Sequence, residues 1–194
     1  MNIQTTLLFV SFVATIVLSF IVVPILKKKK IGQVVREDGP QSHLQKSGTP
    51  IMGGIVIILV VTAILAFFVK NNPILILPMI SLVGFGMIGF LDDFKKLVLK
   101  DPEGLSPKKK MIGLFLITAI IIGLYLYVFD LGTTINIPIF GQPIALGIPL
   151  FIIFAAFILL GTTNAVNLTD GLDGLATGVV AIIMTFFTLV ALKQ

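Results

Sequence analysis

Residues 74–91 read ILILPMISLVGFGMIGFL, and the charged segment DDFKK follows directly at 92–96. The first segment carries no charged side chain, and a helix of about 20 apolar residues is long enough to cross the hydrocarbon core of a bilayer. We therefore predict a membrane-spanning helix that ends where the carboxylates of Asp92 and Asp93 begin. Three glycines within it permit close packing against another helix, and they are Gly84, Gly86 and Gly89.

The composition of the whole chain is that of a membrane protein. Of the 194 residues, 57% are hydrophobic and 12% are charged, whereas a soluble domain has roughly 25% charged residues. The chain has no cysteine and one histidine, His43, which excludes a disulfide framework and any thiolate or multi-histidine metal site within it. Basic loops that set membrane topology explain the net charge of +5 better than nucleic acid does, so we expect no nucleic-acid partner.

Apolar stretches recur on both sides of residues 74–91. We predict membrane spans at 5–26, 51–69, 74–91, 111–129, 148–163 and 175–192. Pro24 indicates a kink or an end of regular helix late in the first span. Between the fourth and fifth spans, TTINIPIFGQPIALG at 133–147 alternates β-forming residues around a turn, which predicts a short extracytoplasmic β-hairpin. The expected fold is an all-α polytopic membrane protein with about six transmembrane helices in a single integral membrane domain, 1–194.

The basic residues predict how the chain is oriented. Twelve of the fourteen lie in two polar loops, at 27–50 and 92–110. The positive-inside rule places both loops in the cytoplasm and the N-terminus outside. Since successive spans alternate in direction, the polar segment 164–174 is then expected in the cytoplasm as well. The basic run at 27–30 is explained best as a topology signal and an anchor to anionic membrane lipids.

A regular polar pattern ends the long charge-free run that begins at Leu131. Its members recur at every third position: Asn164, Asn167, Asp170 and Asp173. On an α-helix such steps keep neighbours on one face, and in a 3₁₀ turn they would nearly eclipse. A helix cap needs only one such side chain. Two carboxylates and two carboxamides beside hydrocarbon exceed that need, and polar groups at this depth are costly and usually functional, so we predict a functional site.

The polar segments together offer four paired carboxylates, several lysines and several glycines. This mixture suits a phosphate ester bound with Mg²⁺, which takes one or two carboxylates plus substrate phosphates, and it favours phosphoryl transfer. Asp92 and Asp93 would point about 100° apart on a helix. One could therefore face a cleft while the other pairs with Lys95, Lys96 or a backbone group. The plain alternative is a helix-end carboxylate beside solvated lysines.

Three ordered motifs resemble those of the polyprenyl-phosphate N-acetylhexosamine-1-phosphate transferases. They are EDGPQSHLQKSGTPIMGG at 37–54, LDDFKK at 91–96 and NAVNLTDGLDGLA at 164–176. The first motif favours the branch of the family that transfers phospho-N-acetylmuramoyl-pentapeptide, and the resemblance covers nearly the whole chain. It implies that undecaprenyl phosphate attacks the β-phosphate of UDP-MurNAc-pentapeptide, with Mg²⁺ required, so that UMP leaves and lipid I forms. It also implies a bacterial inner (cytoplasmic) membrane protein and allows a homodimer.

The resemblance also assigns roles by motif position. Asp92 would deprotonate the lipid phosphate, and Asp93 would support it or the metal site; a covalent route through a carboxylate nucleophile stays open. Lys46 and Lys110 would contact substrate phosphate or nucleotide. The nucleotide-sugar cleft would be lined by Asn167, Asp170 and Asp173.

The chain departs from the family pattern at three points. The family usually has about ten spans and later cytoplasmic motifs, including a Phe-Met-Gly-Asp segment with the main Mg²⁺ aspartate. We therefore expect an N-terminal portion of a longer protein, inactive by itself, with the main Mg²⁺ ligand beyond residue 194. Ile51 stands where the family commonly has Thr, and Leu114 where it often has Gln.

Two other classes of function compete with a membrane phosphoglycosyl transferase. A polytopic transporter would use the Asn/Asp pattern as an ion or proton site. Such a site should lie near the bilayer midplane, whereas each acidic cluster here lies at the predicted cytoplasmic end of a span. A membrane scaffold without chemistry would leave the paired carboxylates unexplained. We therefore predict the transferase.

Overall fold

The computed structural model describes residues 3–28, 52–99, 101, 104–136, 142–170 and 174–193. Within them the chain forms six α-helices and one two-stranded β-sheet. The helices are α1 (Ile3–Lys28), α2 (Gly54–Phe68), α3 (Ile76–Val98), α4 (Pro107–Gly123), α5 (Ile148–Thr169) and α6 (Leu175–Lys193). The strands are β1 (Thr134–Asn136) and β2 (Pro143–Ala145). A 3₁₀ turn at Pro73–Leu75 leads into α3, and a π-helical segment, Leu124–Val128, continues α4.

Four helical stretches in the described part of the chain are long and apolar enough to cross a membrane. They are Thr5–Lys28, Pro73–Val98, Pro107–Val128 and Ile148–Thr169. The apolar stretches Gly54–Phe68 and Leu175–Ala191 are shorter. The mostly helical, apolar character predicted from sequence is confirmed, and the number of six spans stays a prediction.

Three helices continue beyond the boundaries that the sequence predicted. α1 passes Pro24 and ends one turn later at Lys28, because a proline removes one backbone hydrogen bond and the last turn still closes around it. α3 continues past Leu91 to Val98, so the DDFKK segment is helical. Asp92 and Lys96 pair across one turn of it, which stabilises the extension. α5 likewise continues through Asn164 and Asn167 to Thr169.

Residues 1–121 contain one compact unit, built from α1 to α3 and most of α4. α1 packs against α2, and α2 packs against α3. The glycines of α3 explain the close contacts: a Cβ at Gly84 would lie 2.7 Å from Ile117 Cγ2, and one at Gly86 would meet Ile58. Gly89 has no such neighbour, so two of the three predicted packing glycines act in this way. Leu114, the departure in α4, is buried with 1% of its surface exposed.

Residues 122–194 contain the second compact unit. Its buried core is formed by Ile122, Leu126 and Phe151, and the ring of Phe151 stacks on Tyr125 with centroids 5.2 Å apart. The two strands are antiparallel, with Ile135 opposite Ile144. The predicted hairpin is therefore confirmed in its strands, while the residues of its turn, 137–141, lie outside the described part. α5 packs against α6.

Candidate functional site

Asp92 lies near the end of α3 with 8% of its surface exposed. Lys96 Nζ, one turn further along the same helix, donates a hydrogen bond to Asp92 Oδ2 at 2.7 Å. The backbone N–H of Leu105, in the loop that leads to α4, donates to Oδ1 with an N···O distance of 2.8 Å. Both carboxylate oxygens are thus held by protein donors, which stabilise the charged form against the cost of burial.

Lys110 lies near Asp92, and its positive charge favours the ionised form of that carboxylate. It lies in the first turn of α4, where its N–H donates to the carbonyl of Ser106 at 3.0 Å. Pro107 occupies the first position of this helix, a common start because the proline lacks the N–H that would be unsatisfied there. We refer to Asp92, Lys96, Leu105 and Lys110 as the Asp92 cluster.

Asp93, the next residue along α3, is half-buried and also has an interaction partner. Its side chain projects about 100° around the helix from that of Asp92. The sequence left open which carboxylate pairs with a lysine or a backbone group. In the structure Asp92 makes both kinds of contact, and the plain alternative with fully solvated lysines is not observed at Lys96.

Lys95 makes a second set of contacts, on the loop between α3 and α4. Its Nζ donates to Asp101 Oδ2 at 2.9 Å and to the carbonyl of Gly104 at 3.0 Å. The backbone closes the same ring, since the N–H of Asp101 donates to the carbonyl of Lys95 at 3.3 Å and that of Gly104 to the carbonyl of Asp101 at 3.0 Å. We refer to Lys95, Asp101 and Gly104 as the Lys95 cluster.

Gly104 joins the two clusters. Its backbone has a φ of +66°, and an added Cβ would lie 2.5 Å from Asp92 Oδ1 and 2.7 Å from Lys96 Cε. Both the left-handed backbone and the lack of space require glycine at this position. The sequence interpretation did not single out Gly104 or Asp101. A glycine shortly before a helix that opens with Ser-Pro was the available signal, since such glycines mark turns with unusual backbone angles.

The Asn/Asp pattern lies at the end of α5, in the second unit. The side chain of Asn164 donates from Nδ2 to the carbonyl of Leu160 at 2.7 Å, and Asn167 is exposed one turn further on. Asp170, also exposed, follows the last helical residue, and its N–H donates to the carbonyl of Val166 at 3.2 Å. The three residues therefore follow one helix to its end.

Two predicted site residues, Lys46 and Asp173, lie outside the described residues, as does Ile51. α6 starts at Leu175, directly after Gly174, whose φ is +81° and whose carbonyl accepts the N–H of Gly178 at 2.8 Å. Of the predicted residues, the structure brings Asp92 and Lys110 into one cluster and places Asn167 and Asp170 on one helix end.

The described side chains do not by themselves form a magnesium site. Among these residues no group of three or more His, Asp or Glu side chains could hold a metal ion. Asp92 does not fit as a ligand in this arrangement, because the Lys96 ammonium lies 2.7 Å from Oδ2 and would repel a divalent cation. We therefore do not assign Asp92 as a Mg²⁺ ligand.

Residues 74–194, which include both clusters and the end of α5, match the family model described as Glycosyl transferase family 4. The chain belongs to this family. Within glycosyl transferase family 4 it is similar to proteins named phospho-N-acetylmuramoyl-pentapeptide-transferase. The identity is 46% over 183 residues for the protein of Thermoanaerobacter sp. (strain X514) and 44% over 184 residues for that of Clostridium perfringens (strain 13 / Type A), each match covering 94% of this chain. For the protein of Caldicellulosiruptor bescii it is 42% over 196 residues, covering 99% of this chain.

The chain spans 57% to 59% of the length of these three curated relatives. The resemblance inferred from the three motifs is confirmed by this similarity. The relatives are transferases by name, and the family match extends over four of the six helices described here.

Proposed function

We propose that the protein is a membrane phosphoglycosyl transferase of peptidoglycan synthesis. It transfers phospho-MurNAc-pentapeptide from UDP-MurNAc-pentapeptide to undecaprenyl phosphate, and the products are lipid I and UMP. The observation that carries this proposal is the Asp92 cluster, a buried carboxylate with two lysines at the end of a helix able to cross a membrane. The name shared by the relatives supports the choice of substrates.

The Asp92 cluster can supply the charge and the base that this reaction needs. Lys96 and Lys110 neutralise phosphate charge, which is most of what a protein contributes to phosphoryl transfer. Asp92 accepts the proton of the lipid phosphate, whose oxygen then attacks the β-phosphorus of the donor. The bond from the β-phosphorus to the bridging oxygen breaks, and UMP leaves with that oxygen. Asp93 supports Asp92 or the metal site.

Asp92 needs one free oxygen to act as the base, and Oδ2 is the one that can be released. Its partner is Lys96, whose side chain is 37% exposed, whereas Oδ1 is held by a backbone N–H. A phosphate that arrives at the cluster competes with Asp92 for Lys96. Phosphate binding therefore frees the base. A covalent route through a carboxylate nucleophile would need the same release.

The remaining parts of the proposal concern the donor, the ion and the membrane. Following the family resemblance, Asn167 and Asp170, both exposed, line the nucleotide-sugar cleft with Asp173. Lys46 and Lys110 contact substrate phosphate or nucleotide. Bound Mg²⁺ would supply further charge neutralisation at the diphosphate. The protein lies in the bacterial cytoplasmic membrane, with about six spans in residues 1–194, the N-terminus outside and the polar segments 27–50, 92–110 and 164–174 in the cytoplasm. Its partners are the two substrates and membrane lipids, and the family resemblance also allows a homodimer.

The positions of the two described site carboxylates do not favour the transporter alternative. Asp92 lies near the end of α3 and Asp170 follows the end of α5, so neither carboxylate interrupts a helix near its middle. An ion pathway through the bilayer would need polar groups at that depth.

Membranes that contain the full-length gene product test the proposal directly. They are supplied with UDP-MurNAc-pentapeptide, undecaprenyl phosphate and Mg²⁺, and UMP and lipid-linked sugar are followed with and without EDTA. We expect both products to form only when Mg²⁺ is present. A well-folded protein that releases no UMP, with UDP-GlcNAc also inert, would refute the transferase and make ion-flux assays the next measurement.

A further inference from the structure

We propose that Lys95, Asp101 and Gly104 are positioning residues, which hold the loop between α3 and α4 so that Asp92 and Lys110 face the same phosphate. This inference rests on the proposed function and extends it to residues that do not themselves react. The ammonium of Lys95, on α3, bonds to the Asp101 carboxylate and the Gly104 carbonyl, both in the loop. Gly104 also lies against Asp92 and Lys96, so the Lys95 cluster and the Asp92 cluster are neighbours.

The loop is attached to α3 at two separate points. Lys95 holds its first half through Asp101 and the carbonyl of Gly104. Asp92 holds its second half through the N–H of Leu105. Residues three positions apart on an α-helix point about 60° apart around its axis. Lys95 and Asp92 are three positions apart and lie near one face, which lets both reach the same short loop.

The attachment determines where α4 begins. Two residues after Gly104 the carbonyl of Ser106 accepts the N–H of Lys110, and the helix starts. Only one residue separates Leu105 from the first residue of α4, so a displacement of the loop away from α3 would also displace the first turn of α4 and Lys110. In the observed position, the positive charge of Lys110 favours the ionised form of Asp92. A displacement of about 1 Å of such groups can cost a factor of about 100 in rate.

The Lys95–Asp101 ion pair is suited to positioning rather than to stabilising the fold. The two side chains are 32% and 38% exposed, and exposed ion pairs contribute little to the free energy of folding. Replacing either partner should therefore leave the protein folded and inserted. Any loss of transfer then reports on the position of the loop.

The first test compares Lys95→Met and Asp101→Asn with matched controls in the full-length product. Lys70→Met removes an exposed lysine beyond the end of α2, and Asp130→Asn removes an exposed carboxylate beyond the end of the π-helical segment. We expect both test variants to lower kcat by about 10-fold to 100-fold, with the KM for UDP-MurNAc-pentapeptide changed less than about twofold. Lys95→Arg, which keeps the charge and the donors, should retain most of the rate.

The second readout does not depend on catalysis. These 194 residues contain no cysteine, so Ser106→Cys accepts a nitroxide spin label at one site once any other cysteine of the full-length product is changed to serine. We expect electron paramagnetic resonance spectra to show a restrained label in the unmodified protein and in both controls. The label should become more mobile in Lys95→Met and Asp101→Asn.

Two results would overturn the inference. Unchanged kcat together with unchanged label mobility would mean that the Lys95 cluster does not hold the loop. A raised donor KM with normal kcat and a restrained label would mean that these residues bind the donor directly. If the unmodified protein transfers nothing, the proposed function fails, and the label mobility alone then decides whether Lys95 and Asp101 fix the loop.

Discussion

Replacing Gly104 with alanine should lower the free energy of unfolding by more than the strain of a left-handed backbone alone accounts for. Gly104 has a φ of +66°, and the new Cβ would lie 2.5 Å from Asp92 Oδ1. Gly132 provides a matched control, because its φ is +76° and nothing lies within 4 Å of the position where its Cβ would be. Both variants introduce similar backbone strain, and only Gly104→Ala introduces a steric clash with the buried carboxylate.

The two contributions have different magnitudes. An alanine held in the left-handed region costs roughly 1–2 kcal/mol relative to glycine, which is the whole effect expected for Gly132→Ala. At Gly104 the loop must also move away from Asp92, which breaks or lengthens the hydrogen bond from Leu105 N–H to Oδ1. A hydrogen bond to a charged group contributes about 1.5–3 kcal/mol. Gly104→Ala should therefore lose that much more free energy of unfolding than the control.

The assay is denaturant unfolding of the purified full-length product in detergent micelles, followed by UMP release in membranes. We expect the difference in unfolding free energy between the two variants to be about 1.5–3 kcal/mol and the transfer rate to fall in Gly104→Ala only. Equal unfolding free energies for the two variants would refute the close approach of Gly104 to Asp92. A larger loss of unfolding free energy in Gly104→Ala than in Gly132→Ala, together with a normal transfer rate, would mean that the position of the loop does not affect catalysis.

Three further predictions concern the substrates and the ion. Asp92→Asn should lower UMP release by about 10²-fold to 10⁴-fold, the usual contribution of a general base, while nucleotide binding persists; Asp130→Asn is the control, and normal turnover would remove the base role. Asp170→Asn should raise the KM for UDP-MurNAc-pentapeptide, since its exposed carboxylate is proposed to bind the donor, and normal donor kinetics would limit Asp170 to ending α5. EDTA should abolish UMP release and added Mg²⁺ should restore it, because the diphosphate needs a cation; full release in EDTA would exclude the ion from the reaction.

The sequence predicted the apolar helices well, because hydrophobic length is a local property of the chain. Residues 74–91 are apolar throughout and lie within the described stretch that can cross a membrane, Pro73–Val98. The predicted span ends at Leu91, and the helix that contains it continues to Val98. The i,i+4 spacing of Asp92 and Lys96 is a local signal for this continuation, since such a pair stabilises a helix.

The site was predictable as a set of residues but not as an arrangement. Asp92 and Lys110 were named from their motif, and their proximity was not, since it depends on the path of the loop between them. The contact from Leu105 to Asp92 joins residues 13 positions apart. No local periodicity encodes such a contact. Gly104 was the one local clue to it, because its backbone conformation is what lets the loop approach the helix.

The two oxygens of Asp92 separate its two roles. Oδ1 holds the loop through Leu105, and Oδ2 accepts a hydrogen bond from the partly exposed ammonium of Lys96. An asparagine at this position keeps an oxygen that can accept the Leu105 N–H but loses the negative charge and the basicity. An alanine loses all of these. If Asp92 only anchored the loop, asparagine would preserve most of the transfer rate and alanine would not. If Asp92 takes the proton, the two substitutions stop transfer equally while only alanine releases the loop.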